Sequence, residues 1–326
     1  MDDPGSRDER LDGDSERALS EAALAAVGDE TRLRILQALH RARDTNRHPD
    51  VRPVPFTELR KRVGMEDGSQ FNYHLKQLVG PFVHRTEDGY VLRRAGERIV
   101  TAVLAGEYAD AVVYDAEPVP TPCAICGGDV VLDYNVEPFL DYLVVRCTDC
   151  EGVVSASGRP PGMLSLTDAM PPVGMQTRDP VETYLATFSF VGHQFRTIVD
   201  GVCPHCAGRM TAEPRVCEDH DPGDGTVCER CGTIFYVWYH HRCDVCGFSA
   251  MIFLDRHFVV HPTVAAFYHD HGYDPFGPEW LRVATETIVS ETVVTEDPFE
   301  LEVQLAIDDD ALTVTLDGNG DVLAVA

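Results

Sequence analysis

Lysine is almost missing from this 326-residue chain: of 27 basic residues only Lys61 and Lys76 are lysines, and the rest are arginines. Long apolar runs are missing too. No stretch approaches the roughly 20 uninterrupted apolar residues that a membrane helix needs. Met1 to Ser15 is acidic and has no apolar segment, which excludes a secretory signal there. A cytoplasmic protein with no membrane contact is the expectation. Basic charge is scarce as a whole, since 54 acids leave a net charge of −27. Excess carboxylate with so little lysine suits a protein kept soluble in molar salt, where charge of one sign prevents association.

The charge that is present is unevenly placed. Residues 1–16 hold 7 acids and 2 bases, residues 17–107 hold 12 acids and 15 bases, and residues 108–326 hold 35 acids and 10 bases. Only the middle segment, at net +3, escapes the acidic bias. Cysteine is absent from residues 1–122 and then recurs: ten of the eleven form the C-x-x-C pairs Cys123/Cys126, Cys147/Cys150, Cys203/Cys206, Cys228/Cys231 and Cys243/Cys246. Disulfide frameworks do not repeat that spacing, whereas metal knuckles do.

The fold class expected is α+β. Residues 1–16 read as a disordered acidic tail. Residues 17–110 read as helices and a hairpin. A short helix over Ser20–Val27 precedes a second, capped by Asp29, whose apolar face is Ile35, Leu36 and Leu39. After a proline-bearing loop from Arg43 to Pro55 come helices over Phe56–Val63 and Ser69–Val79. Short strands at Phe82–Arg85 and Tyr90–Arg93 flank an Asp88-Gly89 turn. A helix over Ala95–Gly106 follows, with Ile99, Val103 and Leu104 on one side. Glu117 to Pro122 reads as a linker. A zinc ribbon is expected at 118–155, a connector with one helix at 156–200, and a second ribbon at 201–252. Within the connector, residues 155–178 read as extended chain and Asp179-Pro180-Val181-Glu182 as a capped helix start, running to about Val199. The end, 253–326, reads as a helix from Pro262 to Gly272 and then an antiparallel β-meander. In it Phe299, Leu301, Val303, Leu305 and Ile307 alternate with Glu300, Glu302, Gln304 and Ala306, and Asp317 to Gly320 makes a turn only, since it lacks downstream acidic calcium ligands.

Helix, helix and hairpin in this order form the winged helix-turn-helix pattern, whose second helix reads DNA. On a helical wheel Phe71, Leu75 and Leu78 make the buried stripe of Ser69–Val79. Ser69, Asn72, Tyr73 and Lys76 point the other way, with Gln70 and Gln77 beside them. That face carries hydrogen-bonding groups and no acid, as base-edge and phosphate contacts require. His74 at the stripe edge reads as a packing residue. Arg85, Arg93 and Arg94 flank the hairpin and suit phosphate contact. The segment Ala26-Val27-Gly28-Asp29-Glu30-Thr31-Arg32-Leu33-Arg34-Ile35-Leu36, with Phe71-Asn72-Tyr73-His74-Leu75-Lys76-Gln77-Leu78 downstream, resembles the ArsR-type winged-helix family in its haloarchaeal form, over roughly residues 20–105. The resemblance implies a transcriptional regulator that binds double-stranded DNA as a homodimer on two-fold operators, its terminal helices packed together. The metal-sensing cysteines of that family have no counterpart in residues 1–122, so metal-responsive derepression is not expected from this domain.

Zinc takes four soft or borderline ligands in a tetrahedron, and two C-x-x-C knuckles on a hairpin supply them. Cys123, Cys126, Cys147 and Cys150 enclose twenty residues that read as strands at Val130–Tyr134 and Leu140–Arg146 around a turn. Cys217 and His220 add a C-x-x-H half-site, so the six half-sites hold enough ligands for three structural Zn2+ ions. Pairing among Cys203/Cys206, Cys217/His220, Cys228/Cys231 and Cys243/Cys246 is open. Ten residues separate Cys206 from Cys217 and eleven separate Cys231 from Cys243. Sequential pairing would fold Gly232–Arg242 back on itself, yet Thr233 to His240 is a run of β-formers with no turn residue. A nested arrangement is therefore preferred, with Cys203, Cys206, Cys243 and Cys246 on one ion and Cys217, His220, Cys228 and Cys231 on another.

Thioredoxin-like chemistry would need a C-x-x-C opening a helix, and a catalytic zinc would need an open position. Neither pattern is present, so an enzyme is not expected. Glu218 and Asp219 carry no catalytic mark. His240, His241, His257, His261, His269 and His271 could line a further site but read as caps, surface and packing residues. The function expected is sequence-specific DNA-binding regulation with a zinc-held acidic module for sensing or protein contact. The rival is a basal factor resembling archaeal transcription factor E, which shares the winged-helix and zinc-ribbon layout and contacts the transcription machinery.

Overall fold

Asp29 accepts the backbone N–H of Arg32 at 3.0 Å and opens helix α1 (Glu30–Arg41), which buries Ile35, Leu36 and Leu39. The computed structural model describes residue 25 and residues 27–42, 52–108, 112–155, 158–168, 170–220 and 227–326. The acidic tail, most of the helix expected over Ser20–Val27 and most of the loop from Arg43 lie outside them. The chain divides into two units, Met1–Asp110 and Ala111–Ala326.

In the first unit α2 (Phe56–Val63) stops at Gly64, a left-handed residue whose N–H closes on Lys61 and Arg60 carbonyls. Asp67 then caps α3 (Gly68–Leu78) through the N–H groups of Ser69 and Gln70. Phe71, Leu75 and Leu78 are buried as the wheel predicts. Strands β1 (Val83–Arg85) and β2 (Tyr90–Leu92) form an antiparallel hairpin, and Val54 exchanges both backbone hydrogen bonds with Tyr90. Helix α4 (Arg94–Ala105) differs from expectation: Gly96 and Val100 are buried and Leu104 is exposed. A Cβ on Gly96 would stand 2.6 Å from the Phe82 carbonyl oxygen. The helix thus lies against the hairpin along Gly96, and the buried stripe is centred there rather than on Leu104.

The second unit opens with a four-stranded antiparallel sheet in the order β3 (Tyr114–Val119), β4 (Val130–Val136), β5 (Phe139–Cys147), β6 (Met163–Asp168). Two expectations are corrected here. The linker over Glu117 to Pro122 begins inside β3, where Pro118 faces Val131 on an edge strand, a place that tolerates a residue with no N–H to donate. The extended connector over 155–178 contains β6 and the short helix α5 (Pro172–Gln176). Its Gly-Pro composition masked the strand. A Cβ on Gly162 would stand 2.0 Å from the Cys147 carbonyl oxygen, so glycine there lets the loop close on the knuckle before β6 begins. Helix α6 (Pro180–Val199) has its capping box formed by Asp179 and Glu182.

A second antiparallel sheet orders β7 (Met210–Val216), β8 (Val237–Cys243) and β9 (Ser249–Phe253). The single strand expected over Thr233 to His240 is corrected: β8 starts at Val237. Residues 232–234 hydrogen-bond instead to the chain after the Cys150 knuckle, Ser155 N–H to the Gly232 carbonyl and Ile234 N–H to the Val153 carbonyl. Helices α7 (Asp255–Phe258), α8 (Pro262–Asp270) and α9 (Trp280–Thr287) precede a meander of β10 (Ile288–Glu296), β11 (Phe299–Ile307), β12 (Asp310–Asp317) and β13 (Val322–Val325). The strand-like tail expected from Thr285 therefore starts three residues later, after a helix. Leu301, Val303, Leu305 and Ile307 point into the core, and Asp317 accepts the N–H groups of Asn319 and Asp321 to close the last turn.

Candidate metal centres and nucleic-acid interface

Three ligand clusters account for all eleven cysteines and one histidine: Cys123, Cys126, Cys147 and Cys150; Cys203, Cys206, Cys243 and Cys246; and Cys217, His220, Cys228 and Cys231. In each, one ligand atom per residue lies within 4.8 Å of the others. The last two sets are the nested arrangement. Their geometry follows from β7 and β8, which run antiparallel from Met210 opposite Cys243 to Val216 opposite Val237. One cluster forms at the near end of this ladder and the other beyond its far end.

Local backbone makes four of the C-x-x-C knuckles in one way. The residue after the second cysteine turns left-handed at Gly127, Ala207, Gly232 and Gly247, and its N–H closes on the carbonyl of the first cysteine at 2.8–3.2 Å. Further N–H groups point at sulfur, as Ile125 to Cys123, Gly128 to Cys126, Asp149 to Cys147, Gly208 to Cys206 and Val245 to Cys243, all at 3.3–3.4 Å. Such donors favour the thiolate, the form that binds metal. The N–H of Gly128 lowers the Cys126 thiol, and that of Cys246 lowers Cys243 to about 6. Burial acts the other way on Cys150 and Cys231, pushing Cys231 up to about 11. A bound cation is what would offset that desolvation.

The spacing between ligands also fits a metal. Sulfur pairs stand 3.7 Å apart for Cys123 and Cys150, 3.5 Å for Cys126 and Cys147, 3.7 Å for Cys203 and Cys246, and 3.5 Å for Cys206 and Cys243. A disulfide needs about 2.05 Å, whereas four sulfurs at about 2.3 Å from one ion stand about 3.8 Å apart. In the third cluster His220 Nδ1 is 3.3 Å from Cys231 Sγ, while its Nε2–H donates to the Ile234 carbonyl at 3.3 Å. That outer hydrogen bond fixes the tautomer and leaves Nδ1 for the ion. No sequence signal singled out Ile234, because its role comes from the bend before β8. Glu218 and Asp219 are exposed and pair with Arg230.

The other expected site residues lie in the first unit. Ser69, Gln70, Tyr73 and Lys76 are exposed on α3, Tyr73 at 63%, and Asn72 is half-buried on the same face. His74 turns inward, its Nδ1 3.3 Å from Asp29 Oδ1. Arg85, Arg93 and Arg94 are exposed at the hairpin, but the Arg93 guanidinium is held by the Gly80 carbonyl. Of the six histidines considered for a further site, the structure brings His241 and His257 together. His271 bonds to the Phe267 carbonyl and Asp310, and His269 is exposed.

Residues 120–322 match the family described as Domain of unknown function (DUF7351). The chain belongs to the DUF7351 family. All twelve ligands of the three clusters lie inside the DUF7351 match, so the family region and the metal-centre region coincide. Residues 20–103, which carry α3 and the hairpin, match a second family described as Domain of unknown function (DUF7347). Comparison with curated proteins and with solved structures returns no match. No helix among the described residues is long and apolar enough to cross a membrane.

Proposed function

We propose that this chain is a sequence-specific transcriptional regulator, binding double-stranded DNA as a homodimer through a winged helix-turn-helix in its first unit. The observation that carries the reading is the exposed face of α3: Ser69, Gln70, Tyr73, Lys76 and the half-buried Asn72, without an acidic residue in Gly68–Leu78. In a chain of net charge −27, a face clear of carboxylates on the one segment of positive balance is what approach to phosphate demands. The short turn between α2 and α3 supports the helix-turn-helix of this reading, and the hairpin with Arg85 and Arg94 beside it supports the wing. The ArsR-like motifs in Ala26–Leu36 and Phe71–Leu78 support the same reading.

The three clusters of the second unit hold structural Zn2+ in this proposal. Two sets of four cysteines and one of three cysteines with a histidine, at tetrahedral spacing, suit a d10 ion without redox chemistry. Each set is complete, with no position left for substrate. Metal binding then supplies much of the folding energy of this acidic unit, which serves as a sensor or protein-contact module. Genome-wide occupancy of the tagged protein at native salt tests the regulator reading. Sharp peaks at a few promoters bearing two-fold sequence repeats are expected. Occupancy spread over most active promoters would replace it with a basal factor of the transcription factor E kind.

A further inference from the structure

Beside the Cys123 knuckle, the second unit holds a cleft of about 320 Å³. Its apolar wall includes three aromatic rings, Tyr184 and Phe188 one helical turn apart on α6 and Trp280 at the start of α9, whose ring already carries the Arg256 guanidinium 4.6 Å from its centroid. The charged groups lining it are Glu279, Arg282 and Glu286. Arg282 is ion-paired to both glutamates: Nη2 lies 2.8 Å from Glu279 Oε2 and Nη1 lies 3.2 Å from Glu286 Oε2. One carboxylate oxygen of each glutamate is left over, and the lining is net negative. Tyr184 is held as a neutral phenol by burial.

We propose that this cleft binds a small organic cation, a substituted ammonium whose nitrogen carries apolar groups. Aromatic faces attract such a cation through their quadrupoles, most strongly where water is excluded. Glu279 and Glu286 supply the opposite charge at the rim. An anion would meet two glutamates for the one arginine, and a neutral apolar guest would make no use of either carboxylate. The cleft touches Cys123, Ala124 and Gly127 of the first knuckle on one side and α9 on the other, so a guest bridges the first sheet and the C-terminal helices of one unit. Binding is independent of any DNA contact; only the role of the guest as an effector rests on the regulator reading.

Calorimetric titration of the full-length, metal-loaded protein with choline tests this, alongside the carbon isostere in which a tert-butyl group replaces trimethylammonium. Saturable binding of choline, at least tenfold tighter than the isostere, is expected. The paired substitutions Glu279→Gln and Glu286→Gln should weaken choline binding at least tenfold. Both side chains are about half exposed, at 54% and 45%, so the fold tolerates the change. Equal affinity for choline and isostere, no binding of choline, or full affinity in the double variant would each overturn the proposal. The titration contains no DNA, so failure to find an operator leaves its outcome unaffected.

Discussion

His241 on β8 and His257 on α7 face each other through their Nε2 atoms at 3.3 Å, both almost wholly buried. His257 Nδ1–H donates to the Gly320 carbonyl at 3.2 Å, which leaves its Nε2 to accept from His241. Two neutral rings thus form a hydrogen-bonded chain from the second sheet to the last turn of the meander. Burial enforces neutrality, pushing His241 down to about 4 and His257 to about 3. An unfolded histidine protonates near pH 6.5, so below that the unfolded state binds more protons than the folded state. Stability therefore falls as pH drops from about 6.5 towards 3. His257→Phe should lower stability at pH 7.5 by about 1–3 kcal/mol, the cost of leaving buried polar groups unpaired. It should also flatten part of the acid limb. Denaturant melts of both proteins across pH 4–8, reported as differences, check this; parallel curves would remove His257 from the account.

Glu291 on β10 gives the opposite slope. Its carboxylate is largely buried and accepts the N–H of Val237, and burial raises its pKa to about 7. The folded state holds this proton up to about pH 7, while the unfolded chain releases it near 4.5. Stability from this residue is therefore fully present below about 4.5 and lost as pH rises through 7. Glu291→Gln keeps an oxygen for Val237 and removes the ionisation. It should stabilise the protein by roughly 1–3 kcal/mol at pH 8 and by little at pH 5. Equal effects at both pH values would show that Glu291 is not the titrating group.

Patterned residues were legible in the sequence, and residues placed by contact were not. Asp29, the Asp179–Glu182 box, the Phe71/Leu75/Leu78 stripe and the C-x-x-C spacing each act within a few residues, so local order fixes their structure. The nested ligand sets were also legible, since two near-equal arms pair most simply as a ladder. Strands β3 and β6 were hidden because edge strands accept Pro118 and a preceding Gly-Pro loop without penalty. The start of β8 was misplaced because residues 232–234 pair with residues 153–155, some 80 positions away in the chain. Leu104 was placed on the apolar side with Ile99 and Val103 because the wheel carries no information about Gly96, where an added Cβ would stand 2.6 Å from the Phe82 carbonyl oxygen. The cleft beside Cys123 gathers side chains from residues 121 to 286, beyond any local pattern.

Ala207 holds the left-handed position that glycine occupies in three sister knuckles, with φ of 59°. A Cβ in that region costs roughly 1–2 kcal/mol, partly offset by the greater freedom glycine has when unfolded. Ala207→Gly should stabilise the metal-loaded protein by up to about 1 kcal/mol. Gly127→Ala, at φ of 74°, should destabilise it by about as much. Chemical denaturation with metal in excess measures both, and a loss of stability in Ala207→Gly would refute the strain argument.

Metal content follows from the three ligand sets. Elemental analysis should find three zinc ions per chain, and Cys217→Ser with His220→Ala should leave two. Chelation should unfold residues 111–326 while the first unit, whose core of Leu36, Leu59, Phe71 and Leu75 contains no ligand, stays folded. Circular dichroism with limited proteolysis distinguishes this from a single cooperative loss, which would mean that the units fold as one.

Asn72 and Tyr73 decide the DNA reading, because they sit mid-helix on the exposed face of α3 while the core lies on Phe71 and Leu75. Tyr73 is 63% exposed and its ring meets that of His74 edge-on, so truncating it removes little packing. In molar salt counterion release contributes little, and base contacts must carry more of the affinity. Each lost base contact is worth about 1–3 kcal/mol of discrimination. Asn72→Ala and Tyr73→Ala should therefore reduce preference for the operator by roughly tenfold or more while the melting curve of the first unit stays in place. Lys76→Ala should weaken binding to all sequences alike, since a phosphate contact carries no sequence information. Binding of an operator and a scrambled duplex, compared over a range of KCl concentrations, separates the two kinds of loss. Unchanged preference in both Asn72→Ala and Tyr73→Ala would mean that another surface reads the DNA.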